Sequence, residues 1–220
     1  MAKKLNFPLK CIGIPKTVDN DLPYTDCSPG FGSVAKYIAT STLEAGLDVK
    51  SMAETSTKVF ILEVMGRHAG WIAAASCLAA TKPGDPPHII LLPEVPFEKN
   101  KFIAQVKQTI KKQGYCVIVA SEGTQTKNGK FLADSGLRDA FGHKQLGGVA
   151  PVLAGMISKI GLKNHWAVAD YLQRSARHIA SQTDLDQAYA VGEHAVKLAI
   201  AGKTCLLYTS DAADEEDSVD

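Results

Sequence analysis

The run VFILEVMGRHAGWIAAASCLAA, residues 59–80, carries a strand, a loop and a helix in direct succession. Val59–Val64 is apolar without alternation and rich in branched side chains, the pattern of a strand covered on both faces of a parallel sheet. Met65–Gly70 sets two glycines around an Arg–His pair, and Trp71–Ala80 then reads as an apolar helix. Short runs at Cys11–Ile14, Ile89–Leu92 and Cys116–Ala120 repeat the strand pattern. Between them, Phe102, Val106 and Ile110 recur every four residues with lysines on other faces, and Gly114 closes that helix. A further helix starts at Asp184, taken as its N-cap, and runs through Leu185, Ala188, Tyr189, Ala195, Val196 and Ala199 to Gly202. Strand–helix alternation predicts a layered α/β fold with a parallel sheet and right-handed crossovers. The chain starts about one turn before its first strand, as if entering a sheet midway, so the fold is expected to be incomplete.

Composition narrows the function classes. In 220 residues the hydrophobic share is 45% and the charged share 21%, which excludes a disordered chain and a collagen-like repeat. The net charge of +1 hides an asymmetry, because residues 211–220 hold six acidic side chains and no basic one. The remaining body has 24 basic residues against 17 acidic ones and suits an anionic substrate. Solvated surface lysines account for the same charge equally well, and nucleic-acid binding finds no support beyond it. Five cysteines without a C-x-x-C pair form neither a disulfide framework nor a zinc pattern, and a reducing, cytoplasmic setting fits them. No segment reaches the roughly 20 apolar residues of a membrane span. After Gly202-Lys203 the sequence has no helix or strand logic, and residues 205–220 read as a translated sequencing adapter, leaving 1–204 as the folded part.

Four segments carry chemistry. Gly13-Ile14-Pro15-Lys16-Thr17-Val18-Asp19-Asn20-Asp21-Leu22 follows the first strand, and residues past the carboxyl end of a strand face the ligand crevice of an α/β sheet. Asp19 and Asp21 suit proton transfer and cation binding; a turn held by Asx hydrogen bonds accounts for the same residues. Gly66-Arg67-His68 before a helix start suits phosphate, or else forms a tight turn with Arg67 in water. His68 by itself reads as a structural hydrogen-bond donor. Glu122 ends the strand Cys116–Ala120 in a position fit for sugar hydroxyls, and Tyr171 and Arg174 can meet on a phosphate if their loop brings them together. There is no G-x-G-x-x-G after the first strand and no G-x-S-x-G elbow, which argues against a dinucleotide-binding or hydrolase domain.

PKTVDND at 15–21, VMGRHAGW at 64–71, Glu122 and YLQR at 171–174 together resemble the 6-phosphofructokinase family, over about Leu9 to Lys203. The resemblance implies a phosphofructokinase-like parallel-sheet fold and transfer of a phosphoryl group to the 1-hydroxyl of fructose 6-phosphate, giving fructose 1,6-bisphosphate in glycolysis. It implies Asp19 as general base and Thr17 as a hydrogen-bond donor to the migrating phosphoryl. Asp21 is implied as an orienting group or a Mg²⁺ ligand, the main ligand being expected upstream of Met1. Arg67 with the Met65–Gly66 backbone stabilises the transferring charge, Glu122 binds sugar hydroxyls, and Tyr171 and Arg174 bind the 6-phosphate. Lys58, seven residues before Met65, matches a basic position that reaches the 6-phosphate of a neighbouring subunit. That contact implies a homodimer or homotetramer. His165 stands where a second interface arginine is expected, with Lys163 nearby. Lys16 replaces the glycine typical of ATP-dependent bacterial members and points to the diphosphate-dependent branch, where an ammonium neutralises the small donor. ATP as donor and a non-catalytic regulatory homologue are the alternatives. The glycine-rich donor loop is expected upstream of Met1, so the isolated chain is expected to be inactive.

Overall fold

Strands Val59–Val64 and Cys116–Ser121 are almost wholly buried and lie side by side, as expected for the two interior strands of a parallel sheet. The computed structural model describes residues 2–138, 144–146 and 148–207. Following a single-turn 3₁₀ segment at Ala2–Leu5, strand β1 covers Ile12–Gly13 and helix α1 Phe31–Met52. Then come β2 (Val59–Val64), α2 (Trp71–Ala75), β3 (Ile89–Leu91), α3 (Lys99–Gln113) and β4 (Cys116–Ser121). The remainder holds β5 (Asp134–Arg138), β6 (Lys144–Leu146), α4 (Val149–Ser158), β7 (Asn164–Val168), α5 (Asp170–Ser175), α6 (Gln182–Ile200) and β8 (Leu206–Leu207).

The main sheet has the order β3-β4-β2-β7 with every pair parallel. Alternation of side chains along each strand builds two cores. Val59, Ile61, Cys116 and Ile118 pack on one face with Phe102 and Val106 of α3 and Leu153 and Ile157 of α4. Leu62, Val64 and Val119 pack on the other with Val34 and Ile38 of α1 and Ile72 of α2. The result is the three-layer α/β arrangement expected from the sequence. β5 and β6 pair antiparallel apart from this sheet.

Several boundaries differ from the sequence expectation. The first strand shrinks to Ile12–Gly13 and lies outside the main sheet, paired with Leu206–Leu207, two residues expected to lack strand logic. Cys205 N–H donates to the Cys11 carbonyl at 2.7 Å and Cys11 N–H to Thr204 Oγ1 at 3.0 Å, which locks that ribbon. The acidic stretch at 208–220 lies outside the described residues. The apolar helix after Gly70 is α-helical only to Ala75 and tightens into a 3₁₀ turn at Ser76–Ala79. Asp184 is not the N-cap of α6. Ser181, in extended backbone, takes that place and accepts the Asp184 N–H at 3.5 Å. The Asp184 carboxylate caps α1 instead, accepting Gly30 N–H at 2.7 Å and Ser33 N–H at 3.3 Å together with the Ser33 hydroxyl.

Helix α1 escapes an apolar-stripe reading because its buried line mixes Val34, Ile38 and Val49 with Thr42 and Gly46. Gly46 is required: a Cβ there meets Pro86 Cγ at 2.4 Å, so only glycine lets the helix pass. Strand β7 escapes because Asn164–Val168 has no buried residue.

Two ionisable groups, one buried and one half-buried, hold the sheet to its surroundings. Glu63, 1% exposed in the middle of β2, accepts N–H groups of Gly148 at 2.9 Å and Ala150 at 2.8 Å, capping α4 across the sheet. Burial raises its pKa, and these donors oppose the rise. His88 sits just before β3, where its own N–H donates to the Val117 carbonyl and its Nδ1 accepts the Val117 N–H, both at 2.9 Å. The ring thus continues the β3–β4 ladder past the strand end.

Glu63→Ala leaves two helix N–H groups without an acceptor and is expected to lower unfolding free energy by about 2–4 kcal/mol in urea melts, with Glu63→Gln costing less. Burial lowers the His88 pKa below its ordinary 6.5, against the opposing pull of the Gly84 and Val117 backbone and the Asp85 carboxylate. Its stabilisation is therefore full above pH 6.5 and fades as pH falls through the lower folded value. Melting temperatures between pH 7 and 5 are expected to fall more steeply for the native chain than for His88→Asn, which keeps an acceptor but does not titrate.

Candidate active site

Parallel pairing in register decides where the sequence motifs meet. Val64 pairs with Ser121 and Glu63 with Val168, so β2, β4 and β7 reach the same carboxyl edge together. Met65-Gly66-Arg67, Glu122-Gly123 and the helix holding Tyr171 and Arg174 therefore emerge side by side. Glu122 N–H donates to the Val64 carbonyl at 2.9 Å, which carries the ladder one residue beyond the strands.

The Lys16–Asp21 loop reaches the same edge on a frame supplied by Asn20. Asn20 is buried with φ of 54°, in the left-handed region that asparagine tolerates. Its Nδ2 donates to the Asp26 carbonyl at 2.7 Å, and its Oδ1 accepts Ser28 N–H at 2.8 Å. The two readings of this segment are thus both realised: Asn20 makes the Asx-type turn, and the turn presents its flanking carboxylates. Thr17 Oγ1 donates to Asp21 Oδ1 at 2.6 Å, so these two exposed side chains brace each other.

The backbone N–H of Arg67 favours the charged form of the Asp19 carboxylate, and that of Gly66 favours the charged form of Glu122. Two consecutive amides thus act on carboxylates contributed by segments about a hundred residues apart. Burial raises the Asp19 pKa, Asp21 adds to the rise, and the Arg67 amide and guanidinium with Lys16 oppose it. Glu122 is raised by burial and then by Asp19, against the pull of Arg67. A carboxylate held above its usual range is a better proton acceptor near neutrality than an ordinary surface aspartate. Arg67 Nε is buried and has no acceptor among the described residues, a donor available to an anionic ligand.

The corner that carries Arg67 is packed to its limit. Ser121, fully buried, donates its hydroxyl to the Gly66 carbonyl and accepts Gly123 N–H at 3.1 Å. A Cβ on Gly123 would stand 2.1 Å from the Arg67 carbonyl oxygen, and Gly66 adopts φ of 127°. Both glycines are required here by contact or by backbone conformation. Gln173, 2% exposed, links the third loop: its Oε1 accepts Met65 N–H at 3.4 Å and its Nε2 donates to the Asp170 carbonyl at 2.9 Å. Arg174 lies 5.1 Å from the Tyr171 ring centroid, so these two side chains do come together, and both are exposed. Ser121 and Gln173 carry no chemical signature in sequence; only burial between the loops singles them out. His68 points outward, with its ring 6.3 Å from that of Phe131.

A family model described as Phosphofructokinase matches residues 1–199. The chain belongs to the phosphofructokinase family. It is 67% identical over 204 residues to the pyrophosphate–fructose 6-phosphate 1-phosphotransferase of Halomonas elongata, covering 92% of this chain and 49% of that protein. The protein of the same name from Methylococcus capsulatus is 57% identical over 208 residues, 94% of this chain and 50% of its own length. The solved structure of the pyrophosphate-dependent phosphofructokinase from Marinobacter aquaeolei matches with a TM-score of 0.83 and 61% identity, over 94% of this chain and 49% of that one. The chain spans about half the length of the curated relatives it matches.

Within this phosphofructokinase-family chain, Lys58 does not join the other candidates. It precedes β2, at the opposite end of the strand from Arg67, and Nζ donates to the Ala53 carbonyl at 2.6 Å. Six strand residues separate the two ends, about 20 Å. His165 is exposed on the outer strand β7. For a divalent cation, the described residues hold no group of three or more His, Cys, Asp or Glu side chains able to bind a metal. Asp21, already bonded to Thr17, offers a carboxylate but not a coordination shell, so these residues do not by themselves build a Mg²⁺ site. Among the described residues no helix is long and apolar enough to cross a membrane.

Ser121→Ala removes the hydroxyl that ties the Gly66 carbonyl to the Gly123 amide. The corner at Gly66–Arg67 and the turn at Glu122–Gly123 lose their shared anchor, which is expected to lower unfolding free energy by about 1–3 kcal/mol, read from urea melts of the variant against the native chain.

Proposed function

We propose that the protein carrying this chain is a diphosphate-dependent phosphotransferase acting on the 1-hydroxyl of fructose 6-phosphate. One observation supports this reading above the others: Asp19, Arg67 and Glu122 converge at one sheet edge, with Lys16 close enough to act on the Asp19 charge. The names of the relatives at 67% and 57% identity agree with it.

In this reading Asp19 accepts the proton of the sugar 1-hydroxyl as that oxygen attacks the terminal phosphorus of diphosphate. The new O–P bond forms as the bridging P–O bond breaks, so fructose 1,6-bisphosphate and inorganic phosphate leave. Raised basicity and a fixed position suit Asp19 to this role. Arg67, whose guanidinium already acts on both neighbouring carboxylates, offers charge stabilisation to the transferring group. Thr17 donates to that phosphoryl after exchanging its bond to Asp21, and the Met65–Gly66 backbone helps position the sugar. Glu122 accepts from sugar hydroxyls, while Tyr171 and Arg174 hold the 6-phosphate. Lys16 neutralises a donor that has no nucleoside by which to be held.

Mg²⁺ belongs to this proposal as counter-ion of the donor, with Asp21 able to give one ligand. A homodimer or homotetramer belongs to it as well: Lys58 matches the family's cross-subunit contact to the 6-phosphate, and its place at the far end of β2 agrees with service to a neighbouring subunit. Five free cysteines agree with a reducing, cytoplasmic setting. A place in glycolysis belongs to the proposal through its substrate and product.

In the full gene product, Asp19→Ser is expected to lower kcat by about 10²–10⁴-fold with the KM for fructose 6-phosphate nearly unchanged. The acid limb of the native pH–rate profile should lie above the ordinary aspartate value of 3.8, since burial raises the base. Lys16→Gly should depress turnover with diphosphate far more than Arg174→Ala, which should mainly raise the KM of the sugar phosphate. Turnover with ATP but not diphosphate, or equal losses in KM and kcat for Asp19→Ser, would refute the assignment.

A further inference from the structure

A cleft of about 380 Å³ opens between the Lys16 loop, the start of α1 and the segment from Gln173 to Ala188. Three of its lining side chains are cationic: Lys16, Arg174 and Arg177. Its single carboxylate, Asp184, is already occupied by Gly30 N–H, Ser33 N–H and the Ser33 hydroxyl. Among the described residues no salt bridge joins any of the three cations to an acid, and Lys16 acts on the Asp19 charge. Three like charges in a concave site whose one carboxylate is engaged by α1 raise the local positive potential and call for an anionic occupant.

We propose that Arg177 is a phosphate-binding residue of this site, acting with Arg174 and Lys16. Arg177 opens the short 3₁₀ turn Arg177–Ile179, three residues past Arg174 at the end of α5, so the two arginines line one cleft from consecutive turns. A planar guanidinium forms paired hydrogen bonds with phosphate oxygens, which an ammonium does not reproduce. The volume admits a phosphate monoester or diphosphate, and either presents the oxygens this cluster recognises. The inference rests on the functional reading above for the identity of those ligands, and its test does not depend on turnover.

Calorimetric titration of the full gene product with inorganic phosphate, diphosphate and fructose 6-phosphate separates the sources. Arg177→Gln is expected to weaken at least one of them about tenfold, the ligand affected showing which phosphate the residue holds. Arg177→Lys, which keeps charge and loses the paired geometry, should recover only part of that affinity, and it serves equally if the glutamine variant does not fold. Dissociation constants within twofold of the native protein for all three ligands overturn the proposal, as does failure of the native protein to bind any of them. Native binding that weakens in the variant, but without diphosphate-dependent turnover, leaves Arg177 assigned and refutes the enzymatic reading instead.

Discussion

The in-register parallel ladder of β4, β2 and β7 is the constraint on which the rest of this structure depends. A parallel pair holds its residues level, so strands that pair to their last residues release their loops at one height. Val64 opposite Ser121, and Glu63 opposite Val168, do this here. The corner containing Arg67, the turn containing Glu122 and the helix containing Arg174 are neighbours for that reason alone. A register slip of one residue would reverse the faces of every side chain in a strand whose two faces feed different cores. Core packing and site geometry are therefore secured by the same hydrogen bonds.

Electrostatic tension is built into the edge this ladder creates. Burial raises the cost of ionising both Asp19 and Glu122; Asp21 adds to it at Asp19, and Asp19 adds to it at Glu122. The Arg67 guanidinium opposes both rises, and the two amides flanking the Gly66 Cα add to it, the N–H of Gly66 acting on Glu122 and that of Arg67 on Asp19. Fixed amide dipoles do this without adding a mobile counter-charge that would have to leave when an anionic ligand arrives. Glycine at 66 and 123 is the condition for that close approach, since a methyl group at 123 would overlap the Arg67 carbonyl.

The departures from the sequence reading share a cause. Asp184 has the chemistry of an N-cap and is used as one, but for α1, which lies about 150 residues earlier in the chain. Ile12–Gly13 has the apolar character of a strand, yet its partner is Leu206–Leu207 rather than the main sheet. Strand β7 offers no apolar run because its side chains are exposed, and its place is set by the backbone of β2. In each case local character survives while the partner comes from a remote part of the chain.

The amino-acid sequence by itself determined the strand–helix alternation, the buried strands at 59–64 and 116–120, the helix closed by Gly114, and the residue types of the site. These are short-range properties, set by side-chain periodicity, by glycine conformation and by charge. Tertiary structure alone decided that Asp19 and Glu122 share consecutive amides, that Lys58 stands apart from them, and that Ser121 and Gln173 join the loops. Hydrogen bonds between residues tens to a hundred positions apart depend on register and close contact. Those quantities exist only once the strands have paired.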